Sequence, residues 1–525
     1  MHQQWRAPLL ARPGSCELRE EHTMNTRLST SALALVVIFS LALARPPATK
    51  LEQPVCLHPK NPHYFLFRGK TVAFITSGEH YGAVLNADFN FQRYLDTLQA
   101  DGLNYTRLFG GSYAEVPGKS FGIVRNNLAP APGSYVAPWA RSVVPGYAGG
   151  GNKFNLDRWD PEFFKRFHQF LSAASERGIV VEISLFSSHY GDAQWNLSPF
   201  NLANNINGTE LADWKTLHTL DNGKILGYQE RYTRKLVQEA NAFDNVIFEI
   251  QNEPWSDRPV ATGVIGTVNP FLPTPGRDRF PNVAELADDF SLAWQAKVAE
   301  WITDQEAPLP NKHLIAQNYS NFRFPIRQLL PGVSIANFHY AYPEAVIWNY
   351  GLGKAISYDE TGFMGREDNL YRREAWNFML SGGGIFDALD YSFSPGHEDG
   401  LDRDPNGPGG GSEALRQQLR VLSEFLQSFS LVDLHPDFRT VKHSSGTIAR
   451  VLSNPGHEYA MYFDGDGPTR VTLDLPAGHY MGVWVNVRTG AFERSKDIRA
   501  TGEIVDLESP AFVNGIALRL KRAAP

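Results

Sequence analysis

The chain has 525 residues, 42% hydrophobic and 20% charged, which is the composition of a folded globular protein with enough length for more than one core. Its formal net charge of −7 gives no basic surface of the kind that binds nucleic acid, so no nucleic-acid partner is expected. Two cysteines are too few for a Cys-rich zinc site or a disulfide scaffold.

Residues 1–44 are predicted to be an upstream segment and a signal peptide. A short positive region precedes an apolar run at 32–44, which ends in the small-residue cleavage signal Ala42-Leu43-Ala44. So short a run spans a bilayer poorly, which favours cleavage over a membrane anchor, and no stable membrane insertion is expected. The protein is therefore predicted to be secreted, into the medium or the periplasm, and to begin near Arg45. Cleavage would remove Cys16, so no intramolecular disulfide is expected.

The next region, residues 61–432, alternates strand-like and helix-like stretches in the manner of a parallel α/β sheet. The predicted strands are Thr71–Thr76, Leu103–Phe109, Ile179–Phe186, Val246–Glu253, Leu314–Gln317, Val333–His339, Ala355–Glu360 and one that starts at Gly382–Phe386. The predicted helices are Phe89–Ala100, Pro161–Arg177, Gly223–Ala242, Val283–Glu306, Asp368–Leu380 and Ser412–Phe429. The long aperiodic stretch Gly110–Asp157 is expected to be an ordered loop over the mouth of the sheet.

The most informative stretch is Asp244–Trp255, DNVIFEIQNEPW. Its apolar and polar residues alternate, which places the two kinds of side chain on opposite sides of a strand. Pro254 ends that strand because it has no N–H to give to the ladder. Asn252 and Glu253 are therefore expected at the C-terminal end of a barrel strand, at the mouth of a site. A strand followed by a proline turn, with Glu253 merely solvated, is the alternative.

A second acid ends a later strand. The run Lys354–Gly362, KAISYDETG, is rich in apolar residues and reaches Glu360 just before a glycine. Two acids at the ends of two strands are what glycoside hydrolysis requires, because one protonates the leaving oxygen while the other attacks or positions water.

Together, the N-E-P strand end and the later strand-end glutamate resemble a large clan of retaining glycoside hydrolases, which includes family-five cellulases and mannanases. The resemblance covers about Asn61–Phe429. It implies an α/β fold, a (β/α)8 TIM barrel, in which Glu253 ends strand four and Glu360 ends strand seven. It also implies that these two glutamates are the catalytic residues.

Two more parts of the clan pattern are matched. GLNYTRLF places Arg107 near the end of strand two, where the clan has an arginine that supports the nucleophile; a fixed guanidinium keeps a neighbouring carboxylate ionised. Clan members often carry a His and a nearby Tyr at the end of strand six, and the Tyr bonds the nucleophile. Here the candidates are His339 with Tyr340 or Tyr342, and the choice between the tyrosines stays open. A surface Arg107 and a core-bonded His339 are the alternatives.

Further substrate contacts are expected at other strand ends. His189 and Trp195 follow strand three, and either can line a sugar subsite or simply pack in a loop. The candidate contacts after strand eight are Asp387, Asp390 and Tyr391.

Beyond residue 432 the chain changes to short alternating runs separated by Gly, Asp and Pro turns. This pattern predicts a small all-β sandwich at 433–525. It resembles the C-terminal β-domains of several barrel glycosidases and is interpreted as structural, with sugar binding as the alternative.

The sequence thus predicts a secreted retaining β-glycosidase with a carbohydrate substrate, a catalytic barrel at 61–432 and no required metal or cofactor. Asn252 would hold the sugar 2-hydroxyl. A non-catalytic carbohydrate-binding protein on a degenerate barrel and a transglycosylase are the alternatives, and retention of both glutamates counts against the first. Zincin, serine-hydrolase, P-loop and dinucleotide motifs are absent from the sequence. The glycan, its linkage, endo or exo action and the oligomeric state are not indicated.

Overall fold

The computed structural model describes residues 53–265, 283–403 and 407–523, so the predicted signal segment lies outside the described residues. Eight parallel strands form one sheet in the order β1-β8-β7-β6-β5-β4-β3-β2. The strands are β1 Phe74–Gly78, β2 Tyr105–Phe109, β3 Val180–Ser187, β4 Val246–Asn252, β5 Leu314–Asn321, β6 Ile335–His339, β7 Ala355–Thr361 and β8 Ile385–Leu389.

The two end strands of this sheet, β1 and β2, are joined by the side chain of Asn104. Its Oδ1 accepts a hydrogen bond from the backbone N–H of Ile75 at 2.9 Å, and its Nδ2 donates to the carbonyl of Ala73 at 2.9 Å. A side-chain amide carries the same donor and acceptor as a peptide, so it replaces the missing ladder. The predicted α/β (β/α)8 barrel is confirmed.

Besides two helices of four residues, Asp192–Trp195 and Pro254–Asp257, seven helices of five or more residues in the described chain lie between or after these strands. They are α1 Phe91–Ala100, α2 Pro161–Glu176, α3 Ile225–Ala240, α4 Asp289–Glu306, the short α5 Pro343–Ile347, α6 Asp368–Met379 and α7 Glu413–Gln427. Local signals fix their ends: Asp160 caps α2 by accepting from the N–H of Glu162, and Ser412 caps α7 in the same way. The segment 322–334, between β5 and β6, contains no helix.

Three element predictions need correction. The predicted strand Thr71–Thr76 divides at Ala73 between a short strand, Lys70–Val72, and β1. The long stretch after β2 includes a β-hairpin, Trp139–Pro145 with Asn152–Trp159. The predicted helix Val283–Glu306 starts only at Asp289, because Asp288 caps it, and the residues before it form a strand, Val283–Ala287, that pairs with Pro259–Ile265.

A small antiparallel sheet covers the N-terminal end of the barrel. Its strands are Cys56–Leu57, Phe65–Phe67 and Lys70–Val72. Phe65 and Phe67 pack in one apolar cluster with residues from the starts of the barrel strands, among them Phe74 and Tyr105. This sheet leaves the C-terminal strand ends to form the site. Cys56 is buried in the first strand of this sheet, Cys16 lies outside the described residues, and the expectation of no intramolecular disulfide after cleavage stays a prediction.

The C-terminal region is all-β, as predicted, with a six-stranded and a three-stranded antiparallel sheet around one apolar core. The larger sheet contains His435–Pro436, Thr447–Asn454, Glu458–Gly465, Ile516–Arg522, Gly478–Val485 and Phe492–Ala500, and the smaller one contains Val441–Ser444, Arg470–Asp474 and Ile504–Glu508. It docks on α6, where Arg373 pairs with Asp464 at 2.7 Å and Trp376 stacks on Tyr462. The exact domain limits stay predictions. Of the helices in the described ranges, none has the length and apolar character needed to cross a bilayer.

Candidate active site

A small cavity of about 40 Å³ opens at the C-terminal ends of the barrel strands. Its lining is mostly aromatic, with four carboxyl or amide side chains among the aromatic rings. The lining residues are His80, Tyr81, Phe109, Tyr113, Glu115, Phe121, Leu128, Ser187, Tyr190, Asn252, Glu253, Tyr340, Glu360 and Phe363. This mixture of apolar walls and a few converging polar groups is typical of a small-molecule site.

The two predicted catalytic glutamates meet in this cavity. Glu253 immediately follows β4 and Glu360 lies near the end of β7; they are 9% and 6% exposed. One carboxylate oxygen of each, together with a ring nitrogen of His339, lie within 4.8 Å of one another. A retaining pair of carboxyl groups stands about 5–5.5 Å apart, against roughly 6.5–9.5 Å for an inverting pair. The spacing therefore fits the retaining arrangement.

Glu360 is surrounded by hydrogen-bond donors. Tyr81 donates to Oε2 at 2.9 Å, Tyr340 donates to Oε1 at 2.9 Å, and Nη1 of Arg107 reaches Oε2 at 3.3 Å. Burial alone would raise the pKa of this carboxyl, but His339, Arg107 and His80 hold the pKa below its ordinary value. Glu360 is therefore kept ionised, as a nucleophile must be.

Arg107 connects this carboxylate to a layer of buried acids beneath the cavity. Its Nη2 donates to Glu249 at 2.6 Å and to Oδ1 of Asn252 at 2.9 Å. The Nδ2 of Asn337 in turn contacts three acids at 2.6–3.0 Å, which are Glu182, Glu249 and Asp359. Burial and then the neighbouring acids raise the pKa of Glu182 well above its ordinary value. This shift favours the neutral, protonated form of Glu182 beneath the site.

His339 lies between the two glutamates. Its Nδ1 is 2.9 Å from Oε1 of Glu253 and 3.4 Å from Oε1 of Glu360, while its ring is fully buried. Burial would lower the pKa of His339, but Glu360 and Asp359 raise the pKa well above its ordinary value. The positive ring can therefore face whichever glutamate carries the negative charge.

Five residues that line the cavity have left-handed backbone conformations, namely Phe121 in the loop after β2, with φ of 53°, and four residues that follow barrel strands. Tyr81, Tyr190, Glu253 and Tyr340 follow β1, β3, β4 and β6, and their φ angles are 53°, 62°, 46° and 52°. Such a conformation costs a non-glycine residue about 1–3 kcal/mol and persists where the surroundings impose it. The turn brings each of these side chains to the cavity at the point where its strand ends.

Eight of the twelve predicted site residues are not among the described residues that line the cavity. Arg107 contacts Glu360 from below the cavity, and His339 lies between the two glutamates. His189 is 2% exposed and packs among Tyr113, Trp195 and His218, and burial lowers its pKa to about 3. Trp195 packs edge-on against that ring.

The other four lie in walls beside the cavity. Tyr342 packs against Phe322 and Arg323, so Tyr340 is the tyrosine that contacts Glu360. Asp390 is held by Arg416 at 2.7 Å. Asp387 and Tyr391 are buried. Contact between these four residues and substrate stays a prediction.

Sequence reasoning missed most of the aromatic lining. Tyr81 and Tyr190 each lie three residues beyond the end of a barrel strand, and this position would have indicated that they line the cavity. Glu115 and Phe121 lie in the aperiodic stretch after β2, where no pattern assigns a residue to the cavity. Asn318 on β5, whose Oδ1 accepts from the backbone N–H of Glu253 at 2.7 Å, gave no signal either.

Within the described ranges, three groups of side chains are close enough to hold a metal ion. Two of them share His339 with the acids already described. The third comprises His189, His218 and Asp257, but Asp257 already accepts from the backbone N–H groups of His189 and Tyr190. Each carboxylate therefore already has a structural or catalytic partner.

No protein-family model and no curated protein matches this chain. Solved structures do resemble it. A glycoside hydrolase aligns over 90% of this chain and 97% of its own, with a TM-score of 0.56 and 12% identity. A family-five glycoside hydrolase from Bacteroides vulgatus aligns over 89% of this chain and 93% of its own, with a TM-score of 0.55 and 11% identity. At this identity the likeness shows that the fold is shared.

Proposed function

We propose that the protein is a secreted retaining β-glycosidase that hydrolyses a poly- or oligosaccharide by double displacement. The observation that carries the proposal is the pair of buried strand-end glutamates with carboxylate oxygens within 4.8 Å. The solved structures that share its fold and are named glycoside hydrolases add support. The ordered cavity around both acids favours an enzyme over a degenerate barrel that only binds sugar.

In the first step Glu360 attacks the anomeric carbon while Glu253 protonates the departing oxygen. Glu360 is suited to attack because it is ionised and its oxygens are held by Tyr81 and Tyr340. Formation of the glycosyl ester removes its negative charge, and at the same time Glu253 becomes a carboxylate.

His339 links these two changes. Its Nδ1 is within reach of an oxygen on both glutamates, so its positive charge stabilises Glu360 before the attack and Glu253 after it. Glu253 then removes a proton from the incoming water, and the ester is hydrolysed with the second inversion at the same carbon. Hydrolysis therefore retains the β configuration.

Asn252 is in position to contact the reacting sugar. Arg107 holds its Oδ1, and its Nδ2 points to the hydroxyl of Tyr190 at 2.7 Å. A sugar 2-hydroxyl beside this amide would receive a hydrogen bond that strengthens as positive charge develops on the ring.

Azide rescue tests the mechanism and the two roles. Glu360→Gly should lose turnover, and azide should restore it as an α-glycosyl azide, because the anion enters from the vacated face. Glu253→Ala should retain the first step on substrates with good leaving groups and yield the β-azide. The exposed Glu503 provides the control variant Glu503→Ala, which should behave as wild type.

The substrate for this test comes from a screen of plant and microbial polysaccharides and of 4-nitrophenyl β-glycosides. Wild-type activity in both glutamate variants would refute the assignment. A wild-type protein that cleaves nothing, yet binds glycans as tightly as both variants do, would favour the binding-protein alternative. Dominant transfer products at high acceptor concentration would favour the transglycosylase.

A further inference from the structure

The mouth of the cavity is crossed by the loop that follows β2. At its tip Phe121 contacts Tyr190, which follows β3, with ring centroids 5.0 Å apart, and Phe363, which follows β7, at 6.4 Å. Strands β3 and β7 lie on opposite sides of the barrel, so these three rings form an aromatic bar over the cavity. The bar separates the loops after β4, β5 and β6 from those after β8, β1 and β2.

The two halves of the mouth differ in what they offer to a substrate. Glu253 follows β4 and protonates the leaving group under the proposed mechanism, so the leaving group must lie on the β4–β6 side. The reacting sugar must then extend away from Glu253, under the bar and toward the loops after β1 and β2. On that side the cavity is lined by Phe109 and Leu128.

The same side of the cavity contains a polar pair, His80 and Glu115. Nε2 of His80 is 3.3 Å from Oε1 of Glu115, and the residues are 9% and 3% exposed. Nδ1 of His80 is buried and has no hydrogen-bond partner among the described residues. Burial would lower the pKa of His80, but Glu115 and Glu360 raise the pKa above its ordinary value, which favours an N–H donor on both ring nitrogens.

A buried donor without a partner is costly, and a sugar hydroxyl would satisfy it. A donor beside a carboxylate acceptor also matches two adjacent hydroxyl groups, each of which donates and accepts. In a 1,3- or 1,4-linked chain, such free hydroxyl groups at the end of the ring far from C1 exist together only on the terminal sugar.

We propose that His80 and Glu115 bind O3 and O4 of the non-reducing terminal sugar, and that the aromatic bar excludes any sugar beyond it. The enzyme then removes single sugars from chain ends. This inference rests on the proposed glycosidase function and adds the terminal sugar as its substrate class.

The first experiment compares β-1,4-linked hexasaccharides of glucose, mannose, galactose and xylose, each with a free terminal O4 and with that O4 methylated. Wild type should release one monosaccharide and a pentasaccharide from a free hexamer and act about 100-fold more slowly on its methylated form. Phe121→Ala should reduce the ratio of the two cleavage rates, free over methylated, at least about tenfold. The matched control is Phe438→Ala, which changes a phenylalanine of the β-domain that is 70% exposed, and it should leave that rate ratio unchanged.

The second experiment tests the polar pair with the corresponding 4-nitrophenyl β-glycoside and its 3-deoxy and 4-deoxy forms. Wild type should prefer the intact sugar at least about tenfold in kcat/KM, which is the effect of one hydrogen bond to a charged group. In His80→Gln that preference should shrink for at least one deoxy sugar. A purely structural His80 would lower the activity on all three sugars equally.

The outcomes separate the two proposals. Equal cleavage of free and methylated hexamers, with products of intermediate length, overturns end-specific action and leaves the glycosidase proposal standing. Unchanged deoxy-sugar preferences in His80→Gln overturn the role of the polar pair. A protein that cleaves no hexamer and no 4-nitrophenyl glycoside overturns both proposals.

Discussion

The hydrogen bond from Tyr340 to Glu360 leads to a quantitative prediction for Tyr340→Phe. The hydroxyl donates to Oε1 at 2.9 Å, and the remaining neighbour of that oxygen, Nδ1 of His339, is at 3.4 Å. In the glycosyl-enzyme Glu360 is a neutral ester, and it regains its charge as the sugar leaves. The bond therefore strengthens during hydrolysis of the intermediate, and its loss should slow that step most.

A hydrogen bond to a charged group contributes about 1.5–3 kcal/mol, and each 1.4 kcal/mol of barrier is a factor of ten in rate. Hydrolysis of the glycosyl-enzyme should therefore slow by about ten- to 100-fold. With an activated aryl glycoside that wild type cleaves, the first step should stay fast. The variant should then release a burst of aryl alcohol equal to the enzyme concentration, measured by stopped-flow absorbance.

Tyr342→Phe is the matched control, because Tyr342 packs against Phe322 and Arg323 two residues further on. Its kcat should equal that of wild type. Phenylalanine at 340 keeps the shape of the ring, so the folded structure should be preserved. If kcat of Tyr340→Phe stays within twofold of wild type and no burst develops, the nucleophile role of Glu360 or the importance of this donor is refuted.

Three further predictions follow from other parts of the molecule. The raised pKa of Glu182 makes the folded chain hold a proton that the unfolded chain loses, so the free energy of unfolding should fall as pH rises above the ordinary carboxyl range. Glu182→Gln resembles the protonated acid, so in urea titrations from pH 5 to 8 it should reduce the slope of that fall by up to about 1.4 kcal/mol per pH unit. Equal slopes for the variant and wild type would contradict this. Asn104→Ala leaves the N–H of Ile75 and the carbonyl of Ala73 without partners and should lower the free energy of unfolding by about 2–4 kcal/mol. A loss below about 0.5 kcal/mol would show that this side chain does not hold β1 and β2 together. Exported protein should begin at or near Arg45 by N-terminal sequencing, and residues from before position 24 in that protein would refute the predicted signal peptide.

The parts of the structure that follow from local pattern were predictable from the sequence. Alternation along β4 and the proline after it located Glu253, and caps such as Asp160 located helix ends within a few residues. Side-chain contacts across the barrel were not predictable, because they depend on which strands face one another. The sequence could not distinguish Tyr340 from Tyr342, whereas a left-handed turn at Tyr340 directs only that hydroxyl to Glu360. Likewise, nothing in an aperiodic loop marks Phe121 as a residue that reaches the opposite wall.

The left-handed residues at the strand ends of the cavity, Tyr81, Tyr190, Glu253 and Tyr340, have a consequence for how such a chain evolves. Glycine adopts this conformation without strain, so a glycine at any of the four would relieve backbone energy. At Tyr81 the loss of a buried ring that stacks on Phe109 would outweigh that relief, whereas at Glu253 no buried ring is lost. A descendant that had lost its chemistry would therefore show the loss first at the end of β4, through a glycine at position 253, while its hydrophobic core remained that of an intact barrel.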